Sequence, residues 1–158
     1  MFQGLAARLW SPVVAAAADG IVPDLDGLRW RWAPGESIRV GLSEPRGWAV
    51  QGLAEAAALV HSVVVDGQLR PLRNAMADCV GLAEGLVWGN GASALAGSLN
   101  VGPADRGRAE LVRALLSREP LAGAGSFGPD GFVRNSCCLY YRVPGGGMCG
   151  DCGLLPGS

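Results

Sequence analysis

The sequence predicts an α+β domain, predominantly helical, with a small antiparallel β element and a C-terminal cysteine-rich loop. Three observations carry this. Apolar residues recur at three- and four-residue spacing in several stretches separated by Gly and Pro. Two short alternating runs, Leu28 to Ala33 and Ser37 to Leu42, flank Pro34-Gly35 and read as a hairpin. Four of the five cysteines fall between positions 137 and 152. With 158 residues, 49% of them hydrophobic and 17% charged, the chain is expected to form one domain with a real core over 1–158.

The elements follow in order. Phe2 to Ala18 is a helix, with Leu5, Leu9 and Val13 four residues apart and a break or restart expected at Ser11-Pro12. Gly20 and Pro23 end it, and Asp24 to Gly27 is a turn. In the hairpin, Trp30 and Trp32 share one face and are expected to pack on the core or act as a lid. Leu53 to Val60 is an alanine-rich helix. His61 follows it, with no acid or nucleophile spaced to work with it, and reads as structural. The β-branched run Val63 to Val65 reads as a short strand, and Leu69 to Leu86 as a helix weakened by Pro71 and Gly81. Cys79 lies in an apolar stretch and reads as a small buried hydrophobe.

Gly89 to Ala94 matches G-x-G-x-x-A, with Glu110 some distance on. The pattern lacks the preceding strand that dinucleotide binding requires. Asn90 reads instead as the N-cap of a small-residue helix, in which Gly91, Ala94 and Gly97-Ser98 let another helix pack closely. Arg106 to Arg118 is a further helix, with Leu111, Val112 and Leu115 inward. Leu121 to Asp130 reads as loop, Phe132 to Val143 as extended chain broken at a cysteine pair, and residues 154–158 as a tail.

That pair, Cys137-Cys138, is separated by ten residues from Cys149-Gly150-Asp151-Cys152. Four clustered thiols suit an iron–sulfur cluster or a structural zinc. The Cys149–Cys152 spacing lets one tight turn aim both sulfurs at one centre. Adjacent side chains on a strand point oppositely, so Cys137 and Cys138 demand either a backbone kink or a binuclear cluster that spans the gap. Cys-Cys makes a poor zinc knuckle, which favours the cluster, with zinc as the alternative. A single histidine excludes a Rieske centre, and a vicinal disulfide would be strained. Gly145 to Gly147 allow backbone N–H groups to approach the sulfurs, and Arg134 and Arg142 flank the motif, either to offset its negative charge or to lie in solvent. A formal net charge of −1 gives no case for nucleic acid. No stretch is apolar enough to span a bilayer, and the first helix lacks a basic leader, so a cytoplasmic location is expected.

The Cys-Cys, ten residues, Cys-x-x-Cys pattern, within Cys137-Cys138-Leu139-Tyr140-Tyr141-Arg142, Gly145-Gly146-Gly147 and Cys149-Gly150-Asp151-Cys152, resembles the signature of FhuF-type ferric-siderophore reductases. Trp88 to Leu95 resembles a second segment of that family, in a buried helix, and Arg8 to Pro12 a third. Family members are usually longer, with the extra length before the equivalent of Met1. The resemblance implies a [2Fe–2S] cluster on Cys137, Cys138, Cys149 and Cys152, in a segment spanning 134–153. It further implies one-electron reduction of siderophore-bound iron(III), often hydroxamate-bound, with a ferredoxin or flavin reductase as electron donor. No catalytic residue is expected beyond the cluster ligands. Tyr140, Tyr141 and Arg142 are candidate substrate contacts by proximity alone. A four-cysteine zinc module and a [2Fe–2S] electron carrier without a siderophore site are the other readings of the same residues.

Overall fold

The computed structural model describes residues 2–153; the expected tail at 154–158 lies outside them. It is an α+β domain in which helices surround one core and three two-stranded antiparallel ribbons decorate it. Helix α1 (Phe2–Ala18) runs unbroken through Pro12, against the expected restart. A proline inside a helix costs about 3 kcal/mol. The helix also buries Phe2, Leu9, Trp10, Val13 and Val14, and burial contributes about 1.5–3 kcal/mol per large side chain, so the apolar face outweighs the proline.

Strand β1 (Ile21–Pro23) pairs with β4 (Gly47–Ala49), a ribbon the sequence did not announce because both strands are three residues long. Strands β2 (Leu28–Arg31) and β3 (Arg39–Leu42) form the expected hairpin, with Trp30 opposite Val40. Only its base, Leu28 and Leu42, reaches the core. Trp30 and Trp32 are 70% and 57% exposed, which overturns the expectation that they pack as core or lid.

Helix α2 (Gly52–Val60) continues through a π-helical stretch (His61–Leu69) into α3 (Arg70–Ala77). The strand expected at Val63 to Val65 does not form. Val60, Val64, Val65 and Leu69 are all fully buried at helical spacing, and this tertiary burial overrides the β preference of branched side chains. His61 is structural, its Nε2 2.7 Å from the Glu119 carbonyl and its Nδ1 3.4 Å from Asp66. The expected 69–86 helix ends at Ala77, and the chain is non-helical until Glu84. Cys79 lies in that gap and is exposed, not buried.

Helix α4 (Glu84–Gly97) is the centre of the fold. Residues 87–96 are all buried, so it is covered on every side. Phe2 of α1 meets Trp88 edge-on at 6.4 Å, and Arg70 lies 5.6 Å over the same ring. The G-x-G-x-x-A pattern is therefore mid-helix and has no strand before it. Asn90 is inside the helix, two turns past the true N-cap Ala83, which corrects the expected capping role. Helix α5 (Arg106–Leu116) starts on Asp105, whose carboxylate accepts the Arg108 N–H at 2.7 Å, and buries Leu111, Val112 and Leu115 as expected. The region expected as loop then supplies β5 (Gly125–Gly128), paired with β6 (Gly131–Arg134). Among the described residues, no helix is long and apolar enough to cross a membrane.

Candidate metal centre

Strand β6 delivers the chain to the cysteine segment, and α4 receives it. Contact begins at Ser136, whose hydroxyl donates to the Gly85 carbonyl at 2.6 Å. A Cβ on Gly89 would collide with the Ser136 hydroxyl. Glycine at 89 is thus what lets the helix lie directly beneath the residue preceding the cysteine pair. This contact is made at Gly89, apart from the small residues expected to admit another helix, and its partner is the cysteine segment.

The second tie is Arg134. The flanking role read from the sequence left it free to lie in solvent; the structure buries it, at 1% exposure. Its guanidinium grips the Asp151 carboxylate with Nε and Nη2 at 2.8–3.1 Å, while Nη1 donates to Asn90 Oδ1 at 2.7 Å. The Arg134 N–H also donates to the Asp151 carbonyl at 3.1 Å. A Cβ on Gly153 would strike the Arg134 carbonyl, so the chain leaving Cys152 passes against the end of β6. Ser93, one turn along α4 from Asn90, completes the clamp. It hydrogen-bonds Asp151 and accepts from Gln3 Nε2 of α1 at 2.8 Å. Burial works against the Asp151 charge, but the bonds from Ser93 and Arg134 outweigh it and hold its carboxyl below the usual range.

Asp151 sits between Cys149 and Cys152, so this clamp fixes the Cys-x-x-Cys turn, which closes through Cys152 N–H to the Cys149 carbonyl at 3.2 Å. At the other end, Leu139 has φ +61, a left-handed conformation for a branched side chain. It is a backbone kink directly after the vicinal pair, one of the two arrangements that alternation allows. It turns the chain into a 3₁₀ turn at Tyr140–Arg142 and brings the Leu139 N–H to 3.3 Å from the Cys137 sulfur. The donor reaching that sulfur is Leu139, not a loop glycine. Gly146 instead folds back, donating to the Val143 carbonyl at 2.7 Å.

The structure brings Cys138 and Cys149 together, with their sulfurs 3.4 Å apart, one from each half of the motif. Cys152 is buried beside the clamp; Cys137 is half-buried. Among the described residues, no three metal-ligating side chains converge at single-ion spacing. Burial pushes the Cys149 thiol up to about 12, with the hydrogen bonds to Cys138 and Asp151 and the nearby Asp151 charge adding to the effect. Sulfurs from both halves of the motif meet here, and four cysteines within sixteen positions are a donor set that fits an iron–sulfur cluster. Tyr140 and Tyr141 are 50% and 46% exposed beside the pair; Arg142 is also exposed, with its guanidinium 5.6 Å over the Tyr141 ring.

Asn90 and Ser93 were not read as site residues. The available signal was two polar side chains inside an otherwise small and apolar helix, since buried polar groups need partners.

Comparison with the curated proteins and with the solved structures finds no match. One family model does match: residues 134–153 align with the FhuF 2Fe-2S C-terminal domain. The match begins at the clamping Arg134, takes in all four clustered cysteines, and ends at Gly153. Over these residues the chain is similar to the FhuF-type family, and the match supports a [2Fe–2S] cluster as the cofactor of this segment.

Proposed function

We propose that this protein is a [2Fe–2S] ferric-siderophore reductase that acts in the cytoplasm. The observation that carries the reading is the four-cysteine segment, matched to a 2Fe-2S domain and tied to the body of the fold by Arg134. Cys137, Cys138, Cys149 and Cys152 hold the cluster, which supplies one electron at a time when bound. The remaining roles belong to the chain. The Leu139 N–H bonds the Cys137 sulfur, the kind of contact that tunes a cluster. Arg134 and Asp151 keep the second cysteine pair in place. Tyr140, Tyr141 and Arg142 stand exposed beside the cysteine pair. A ferredoxin or flavin reductase provides the electron, and siderophore iron(III) becomes iron(II), a poorer match for hard oxygen ligands.

The test is stoichiometric. Protein is reduced anaerobically, freed of reductant, and mixed with a ferric trihydroxamate siderophore and a ferrous-specific chromophore. One ferrous ion per electron stored is expected. Protein that reoxidises with ferricyanide but not with the siderophore would instead be an electron carrier. Protein that holds one zinc and no iron would be a structural module.

A further inference from the structure

We propose, resting on that reading, that the ferric chelate binds in the cleft between the β5–β6 ribbon and Cys137. The cleft has a volume of about 510 Å³, within the range of about 300–1,000 Å³ typical of small-molecule sites. Ser126, Gly128 and Val133 form its ribbon wall; Asn135, Ser136 and Cys137 form the other.

The register explains why it is open. Ser126 pairs with Val133, so both side chains face the cleft. Phe127 pairs with Phe132 on the opposite face, where the rings meet edge-on at 5.5 Å and Arg113 lies 5.6 Å over Phe127. The ribbon is therefore braced from behind, and its cleft face carries only a hydroxyl, an isopropyl group and glycine backbone. A molecule seated there touches Cys137 itself, so nothing intervenes between substrate and a cluster ligand.

The lining is neutral and polar: the Ser126 hydroxyl can donate to a chelate oxygen, and the groups left open on Asn135 and Ser136 are acceptors for the amide N–H groups of a linear trihydroxamate. The Ser126 hydroxyl makes no hydrogen bond among the described residues. Asn135 uses its amide nitrogen on the Gly123 carbonyl at 2.9 Å, which leaves its oxygen available, and Ser136 donates to Gly85 yet keeps acceptor capacity. Arg134 also borders the cleft, but its charge is committed to Asp151. The cleft thus offers neutral polar groups and no free charge. A second cavity of about 320 Å³, on the far side of Asn135 and Ser136, has no cysteine in its lining.

The experiment uses cluster-loaded protein and two cleft-filling variants, Ser126→Trp and Gly128→Trp, so that distorted pairing in one does not decide the result. Calorimetry measures binding of the redox-inert gallium(III) complex of a linear trihydroxamate; the iron(III) complex gives KM and kcat. With iron and sulfide content unchanged, both variants are expected to bind the gallium complex at least tenfold more weakly. KM should rise in step, while ferricyanide reoxidation stays at the wild-type rate. Wild-type affinity in both variants, with wild-type protein binding and reducing the chelate, would overturn the cleft and leave the reductase reading standing. Weakening by Tyr140→Ala and not by the tryptophans would move the site to the tyrosine turn. If wild-type protein neither binds nor reduces the chelate, the reductase reading fails, and the cleft with it.

Discussion

The two halves of the cysteine segment are built differently. The second half, Cys149 to Gly153, is locked: Asp151 is gripped by an arginine seventeen residues earlier, which is itself held by Asn90 forty-four residues before it. The intervening stretch, Leu139 to Gly146, is bonded to itself. Its backbone hydrogen bonds run from Arg142 to Leu139, Val143 to Tyr140 and Gly146 to Val143, each spanning three residues. Tyr140, Tyr141, Val143 and Met148 are exposed along it. One half derives its position from the core and the other from local turn geometry. A redox centre needs both: a rigid seat for the ligands, and a surface that donor and acceptor can reach.

Breaking the locked half should do the most damage. Arg134→Met leaves Asp151 and Asn90 without their shared donor, and removing one partner of a buried ion pair costs about 3–5 kcal/mol. Chemical denaturation of the metal-free protein should show a loss of that size, with faster alkylation of Cys149 and Cys152. A near-zero change would mean that the clamp does not fix this half. Gly89→Ala attacks the same seat from the helix side. Its Cβ must displace Ser136, an overpacking cost of about 1–3 kcal/mol, read from the same denaturation midpoints.

The pH dependence sharpens the contrast, since both shifted groups lie in the locked half. The Asp151 carboxyl is held below its ordinary value of 3.8. The stability it contributes is complete above that value and is lost as pH falls through the lower folded-state value, because the unfolded chain takes the proton first. Asp151→Asn should flatten the acid limb of the stability profile. Cys149 is shifted the other way, from 9.0 to about 12. Between those values the unfolded chain releases a proton that the folded chain retains, so metal-free protein should lose stability as pH rises from 9 towards 12. Cys149→Ala should remove that alkaline slope. The smallest effect is expected in the open half: Tyr140→Ala should change stability by less than about 0.5 kcal/mol, and a larger loss would show that this stretch is packed.

The sequence was most legible where the physics is local. Helix α5 showed its inward face, the hairpin showed its turn, and of the two arrangements that side-chain alternation allowed at Cys137-Cys138, a kink or a spanning cluster, the backbone shows a kink at the next residue, Leu139. It was least legible where long-range burial decided the outcome. Val63 to Val65 carried strand propensity but were drawn into a helix by the core. Asn90 looked like a cap because its partner, Arg134, is remote in sequence. Gly89 belonged to a dinucleotide-like pattern set aside for want of a preceding strand, and the sequence held no sign that its lack of a side chain serves contact with Ser136. The tryptophans failed in the opposite sense: their size suggested core, yet only the base of their hairpin meets it.

The central claim is that Cys137, Cys138, Cys149 and Cys152 carry a binuclear iron–sulfur cluster. Low-temperature EPR of anaerobically purified protein, with iron, sulfide and zinc quantified on the same sample, tests it directly. The account predicts about two irons and two sulfides per chain, silent as isolated and paramagnetic after one-electron reduction, with the signal lost in Cys137→Ser. One zinc per chain with no sulfide, and no signal on reduction, would contradict it.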